Sequence, residues 1–209
     1  MKTKQITFRG YYHEVKNKSQ VYLHHTAGND NADQVFQWWE STPVKVATCV
    51  VINDKGDIVQ GFGSQYWAYH LGLTNDVFKK NGCNFIPLDK SSIGIEICNW
   101  GQLTKKGDKF YNYVGKEVKA EDVCTLDKPF KGFKYFHDYT DAQIEAVKAL
   151  LEHWGQKYGI DLTYHQDIWD VTPRALKNAN GVFTHNSVRY DKIDVYPHPK
   201  LVDMLKNLK

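Results

Sequence analysis

The run SSIGIEICNWG, residues 91 to 101, constrains the fold more than any other stretch of this chain. Its apolar, largely β-branched character from Ile93 to Cys98 reads as a central strand ending at Trp100-Gly101. Glu96 sits inside that apolar run, where an ionised carboxylate is costly unless it serves a purpose. A central strand needs neighbours, and the sequence offers several. Gln20 to Leu23 is a short apolar run that delivers His24 and His25 to its carboxyl end. Thr48 to Ile52 and Ile58 to Phe62 flank Asn53-Asp54-Lys55-Gly56, whose small polar residues and glycine fit a hairpin turn. Val182 to Thr184 is a further short strand that leads into His185.

Helical signals alternate with these strands. TDAQIEAVKALLEHWGQKYG is amphipathic, with Thr140 as N-cap, Gln143 at the capping-box position and Gly159 as C-cap. A second helix is expected over Ala32–Ser41, capped by Asp30 or Asn31, with Val35, Trp38 and Trp39 on one face, and stopped by Pro43. Trp169 to Ala175 reads as a turn or short helix. A last helix, Pro199 to Leu208, faces Leu201, Met204, Leu205 and Leu208 inward. The alternation predicts an α/β fold with a mixed central β-sheet flanked by helices. Its 209 residues suit one domain over residues 1–209. Residues 102–138 shift to Lys, Tyr, Phe and Gly without helical period, which predicts a surface insertion of irregular strands and loops.

A formal net charge of +3 is too small to argue for nucleic acid, yet suits approach to an anionic polymer such as a bacterial wall. The 14% aromatic content suits a groove that offers flat faces to sugar rings or peptide, and equally an aromatic core. The lysines of the first residues are followed by no apolar run, so no secretory signal, cytoplasmic synthesis in a host or bacterium and no stable membrane association are expected. Cys49, Cys83, Cys98 and Cys124 form no CxxC pair and read as reduced thiols, with Cys49 and Cys98 as small buried hydrophobes. The oligomeric state is not set by the sequence; a monomer is the expectation.

Two histidines and a carboxylate, leaving one position open for water, make a catalytic zinc site, because zinc accepts both donor types and lowers the pKa of water. His24, His185 and Asp194 offer that set. Taken singly, each is more often a surface or satisfied core residue.

Their surroundings carry a resemblance. Val21-Tyr22-Leu23-His24-His25-Thr26-Ala27-Gly28 resembles the opening motif of the zinc N-acetylmuramoyl-L-alanine amidases, a family that includes phage lysozyme-type amidases and peptidoglycan recognition proteins. Trp67-Ala68-Tyr69-His70-Leu71-Gly72 resembles its aromatic-His-x-Gly segment, Ser92-Ile93-Gly94-Ile95-Glu96 its strand with the catalytic glutamate, and Lys192-Ile193-Asp194 its Lys-x-Asp. The ending from Thr184 to Pro197 is similar to amidases of bacteriophages. The resemblance implies the peptidoglycan recognition protein-like amidase fold and hydrolysis of the amide between N-acetylmuramic acid and L-alanine, as in a phage endolysin acting on the wall. It implies zinc as cofactor and bacterial peptidoglycan as partner. His24 takes the first ligand role and His25 that of a neighbour that orients the site. Glu96 becomes the proton carrier and Lys192 the oxyanion brace. His70, Trp67 and Tyr69 would line the substrate groove, with a packed aromatic cluster as the other reading. Thr48 and Cys49 stand where relatives often carry histidine or an aromatic, so a tyrosine-assisted variant has no support and Glu96 is the acid/base candidate.

Two histidines compete for the second ligand role. Tyr164-His165-Gln166-Asp167-Ile168 resembles the family's Gly-His-x-Asp-Ile segment, whereas His185 lies nine positions before Asp194, close to the family's spacing. The shorter loop favours His185. Other functions stay open: a non-catalytic peptidoglycan-binding module, or an amidase that recycles muropeptides inside the cell. For the histidines, His185→Ala is expected to lose bound zinc and His165→Ala to keep it. Metal analysis of both purified variants decides, and loss only in the His165 variant reverses the choice.

Overall fold

A computed structural model describes residues 2–208. Its first half contains β1 (Thr3–Gln5), β2 (Gln20–His25), α1 (Ala32–Glu40), β3 (Val50–Ile52), β4 (Ile58–Gln60), α2 (Asn75–Lys80), α3 (Leu88–Ser91) and β5 (Ser92–Ile97). Five short strands follow: β6 (Gln102–Lys106), β7 (Lys109–Tyr111), β8 (Glu117–Val118), β9 (Val123–Phe130) and β10 (Phe133–His137). The chain closes with α4 (Asp141–Tyr158), α5 (Pro173–Leu176), β11 (Gly181–Thr184) and α6 (Pro199–Lys206).

The expected mixed sheet is present as six strands in the order β1-β4-β3-β5-β2-β11. Strands β3 and β4 form the antiparallel hairpin, while β5 is parallel to β3 and β2, and β2 to β11. Every residue of β2, β5 and β11 is buried, which explains their continuous rather than alternating apolar pattern. Register carries the chemistry. Leu23 pairs with Ile95 and Thr184, and His24 pairs with Glu96, so His185, one residue past β11, comes level with His24. Three chemically distinctive side chains thus reach the carboxyl ends of adjacent parallel strands, where sites in α/β sheets collect.

Helix α4 has the expected capping box between Thr140 and Gln143 and ends at Gly159 with φ +68°. Thr140 also donates its hydroxyl to the carbonyl of Asp54 at 2.7 Å, and Gln143 Nε2 donates to Cys98 O at 2.8 Å, docking the helix start onto the hairpin turn and the end of β5. Its face of Ile144, Val147, Leu151 and Trp154 joins the core built on the sheet. Helix α6 buries Leu201, Met204 and Leu205, while Leu208 lies beyond its end and is partly buried.

Two expectations are corrected. Helix α1 is capped by the side chain of Asn31, but it buries Ala32, Phe36 and Trp39, the i, i+4, i+7 stripe, and leaves Trp38 63% exposed. Residues 102–137 are not irregular: they form a second, antiparallel sheet in the order β8-β7-β6-β10-β9. Its two ends meet at one place. His137 N donates to Gly101 O at 2.8 Å, and the buried Asn99 amide donates to the carbonyls of His137 and Asp138 at 3.0 and 2.9 Å.

Beneath β5 lies a buried lysine. Lys18, 4% exposed, donates from Nζ to the carbonyls of Lys90, Tyr66 and Ser92 at 2.8, 3.1 and 3.2 Å. Burial pushes its pKa down from 10.5 to about 8. Between those two values the unfolded chain binds the extra proton, so unfolding free energy rises with pH over that window, by up to roughly 3 kcal/mol. Denaturant melts at pH 7.5 and 10 should resolve this rise in the parent protein and its loss in Lys18→Met; equal pH slopes in the two proteins would contradict it.

Candidate functional site

Three ligand atoms converge beside the end of β2. His24 Nδ1 is 3.1 Å from His185 Nδ1 and 3.2 Å from Asp194 Oδ2, and His185 Nδ1 is 2.9 Å from the same oxygen. The ligands of a tetrahedral zinc, at about 2.0–2.1 Å from the ion, lie about 3.3 Å from one another. These spacings come close to that figure.

Proton positions decide what the cluster can accept. His185 Nε2 lies 3.0 Å from the carbonyl of Leu71, which can only accept, so the neutral ring carries its proton there and turns the Nδ1 lone pair inward. His24 Nε2 lies 3.0 Å from His70 Nδ1, and His70 Nε2 lies 2.8 Å from Ser92 Oγ, a chain that holds the His24 ring. Burial, then the neighbouring His185, pulls the His24 pKa down to about 4, so its imidazole is neutral near pH 7. Burial alone would raise the Asp194 carboxyl, but His185 and His24 hold it well below the ordinary carboxylate range when a ring turns a proton toward it, a place that a metal ion would take. Neutral imidazoles and an ionised carboxylate are the protonation states that a metal requires. His24, His185 and Asp194 could therefore hold a metal ion.

The cluster sits in a cavity of about 380 Å³ that Glu96 and Lys192 also line. Glu96 is buried, with no hydrogen-bond partner for its carboxyl among the described residues. Burial first, and the Asp194 charge second, push it well above the usual carboxylate range, while Lys192 works the other way. A carboxyl raised in this way holds a proton more readily than one in water, as a group that shuttles protons must.

The remaining sequence candidates are distributed unevenly. His70 lines the cavity but stands behind His24, under Gly94, where an added Cβ would come within 3.1 Å of His70 Nδ1 and 2.6 Å of Thr48 Cγ2. His25 also lines it, with Nδ1 2.8 Å from the hydroxyl of Tyr139. Trp67 and Tyr69 are not in its lining. Trp67 is buried and stacks on Tyr12 at 4.3 Å, with Tyr69 edge-on at 5.3 Å, an aromatic cluster beside the site. His165 immediately precedes a 3-10 turn, Gln166–Trp169, and makes no capping hydrogen bond with its side chain; it is not among the converging ligands His24, His185 and Asp194. The neighbouring Asp167 binds Arg174 and Thr172, so that motif serves as a structural clasp.

Two supporting residues escape a sequence reading. Asn186 donates from Nδ2 to the carbonyls of Asp194 and Val195 at 3.1 and 2.8 Å, tying the Asp194 segment to the turn that bears His185. The Thr-His-Asn order gave a hint of this. Lys131, in the turn between β9 and β10, reaches across from the second sheet and donates to the carbonyls of Lys192 and Tyr190 at 2.8 and 3.3 Å. A lysine beside a turn glycine gives no such signal. A second grouping, Cys124, Asp138 and His198, is explained without metal. His198 Nε2 donates to Asp138 Oδ1 at 2.6 Å, too short for neighbouring ligands of one ion, and Nδ1 accepts from Leu201 N at the start of α6.

Residues 15–196 match the family described as N-acetylmuramoyl-L-alanine amidase. No curated protein sequence matches this chain. Among solved structures, the N-acetylmuramyl-L-alanine amidase AmiD from E. coli, in complex with anhydro-N-acetylmuramic acid-L-Ala-D-gamma-Glu-L-Lys, is 20% identical with a TM-score of 0.54, over 92% of this chain and 58% of that one. The catalytic domain of XlyA is 14% identical with a TM-score of 0.53, over 99% and 97%. The endolysin N-acetylmuramoyl-L-alanine amidase LysCS from Clostridium intestinale is 12% identical with a TM-score of 0.50, over 97% and 92%. At these identities the three likenesses establish a shared fold.

The grip of Lys131 generates a test. Lys131→Met keeps the aliphatic stem but removes the donors that fix the Tyr190–Lys192 backbone, so divalent-metal affinity is expected to fall about tenfold with little change in melting temperature. Chelator competition on the purified variant measures this, and unchanged affinity would show that the segment holds its shape unaided.

Proposed function

We propose, from the premise that this chain belongs to the N-acetylmuramoyl-L-alanine amidase family, that His24, His185 and Asp194 hold zinc while Glu96 and Lys192 perform the proton and charge work of amide hydrolysis. The observation that carries this reading is the convergence of two inward-facing imidazole nitrogens and a carboxylate within 3.2 Å, beside a buried glutamate. Zinc bound there would polarise the amide carbonyl and lower the pKa of water.

The chain's own residues supply the rest. Glu96 takes the proton of the water whose oxygen bonds to the lactyl carbonyl carbon. Lys192 lines the same cavity and offers an ammonium to the carbonyl oxygen as it gains negative charge, an interaction stronger in the transition state than in the ground state. When the carbon–nitrogen bond breaks, Glu96 returns its proton to the leaving alanine amine. Its raised pKa suits a group that must both accept and release one. His70 and Ser92 keep the His24 ring in place, and His25 is fixed by Tyr139 at the floor.

The substrate is the muramyl peptide of bacterial peptidoglycan, the class of molecule bound in the AmiD complex. The lytic role of an endolysin is the setting proposed for this chain, which acts as one catalytic domain with residues 102–138 as an addition to it. Among the described residues no helix is long and apolar enough to cross a membrane.

Incubation with purified peptidoglycan tests the activity: new alanine amines should appear without new reducing sugar ends, and faster from intact wall than from small soluble muropeptides. Reducing ends would point to a glycosidase, and neither product to a binding module. In Glu96→Gln, zinc content should remain while turnover falls by about 10²-fold or more. Near-normal turnover in that variant sinks the assignment of Glu96.

A further inference from the structure

A second lobe opens off the catalytic cavity, with a volume of about 560 Å³. Thr26, Ala27, Trp39 and Glu96 line both lobes, so Glu96 stands where they meet. The outer part of the second lobe carries Trp38 of α1 and Tyr113, from the turn between β7 and β8 of the second sheet. Trp38 is 63% exposed and Tyr113 65%. Leaving two large aromatic side chains in water forgoes burial energy, and such rings gathered in a concave surface mark a binding groove.

Tyr113 is held for this use. Lys116 N donates to Asn112 Oδ1 at 2.8 Å and Asn112 N donates to Lys116 O at 3.0 Å, closing the turn around it. The Tyr113 ring centroid lies 6.3 Å from that of Trp100, just past the end of β5. A preset ring loses little freedom when a ligand stacks on it.

Charge separates the two lobes. The catalytic lobe includes Asp191, Lys192 and Asp194, whereas apart from the shared Glu96 the second is lined by neutral residues, among them the amides Asn29 and Gln34. An amidase of this family cuts the bond that joins a sugar to a peptide, so the two products extend to opposite sides of the reacting carbonyl. The peptide arm bears carboxylates and an amine, while the N-acetylated sugars of the glycan present flat faces, hydroxyls and neutral amides.

We propose that the second lobe is a saccharide subsite, in which Trp38 and Tyr113 hold a neutral ring of the glycan strand and the charged lobe takes the peptide. The proposal rests on the amidase reading above for its substrate, but its test needs no turnover. It also gives the second sheet a role in recognition, because that sheet brings Tyr113 to the groove.

The probe is chitotetraose, a neutral β-1,4-linked N-acetylglucosamine tetramer without peptide, titrated by calorimetry into the full chain. The parent protein should bind it saturably. Trp38→Ala and Tyr113→Ala should each weaken binding about tenfold, the size expected from losing one stacked ring, while Tyr113→Phe binds like the parent. On intact peptidoglycan the two alanine variants should raise KM and leave kcat near its parent value, with unchanged melting temperatures. Absence of saturable chitotetraose binding, equal binding by parent and alanine variants, or selective loss of affinity for a free stem tetrapeptide each overturns the subsite. A parent protein that binds chitotetraose through these rings yet releases no alanine amines would instead sink the amidase reading and leave the saccharide subsite standing.

Discussion

Two imidazole nitrogens and a carboxylate oxygen facing one another at 2.9 to 3.2 Å are a repulsive arrangement unless something positive lies among them. With the proton of a neutral His185 on the far nitrogen, facing Leu71, its Nδ1 lone pair turns inward toward the Asp194 carboxylate. The surrounding structure exists largely to hold them so. The parallel register of β2, β5 and β11 sets His24 level with Glu96 and with the start of the His185 turn. Asn186 and Lys131 fix the Asp194 segment through its backbone. A cation among them would be coordinated by all three, and His24 and Asp194 are already in the protonation states it needs.

The same burial that makes the cluster repulsive also equips Glu96. A carboxyl among Ile residues, with Asp194 close by, stays protonated to higher pH than one in water, and Lys192 tempers the effect. Glu96 also marks the meeting point of two lobes that differ in charge and aromatic content. Position and acidity come from one cause, its place near the carboxyl end of a strand covered on both faces.

Much of this was legible from residues alone, because it depends on local pattern. The apolar run at Ile93–Cys98, the capping box at Thr140 and Gln143, and histidines at strand ends are short-range signals, and each corresponds to an element observed. Trp38 was misplaced because an aromatic near the right spacing looks like part of a buried stripe, while the choice among Val35, Phe36, Trp38 and Trp39 depends on which way the helix rolls against the sheet. The second sheet was hidden for another reason. Its short strands are exposed along much of their length, as at β6 and β7, so neither alternation nor an apolar run announces them, and their order depends on pairings distant in sequence. Loop length favours His185 over His165, and the His165 segment has an occupation of its own, the clasp of Asp167 on Arg174.

Asn99 gives the second sheet an architectural meaning. With one buried amide it holds the exit of that sheet, while a backbone bond joins the exit to the entry at Gly101. The five strands therefore leave and rejoin the main body through a single gate whose width does not depend on what lies between. The entropy of closing such a loop grows only slowly with its length. A chain built this way can exchange, lengthen or shorten the inserted segment over generations while the strands that carry His24, Glu96 and the His185 turn keep their register.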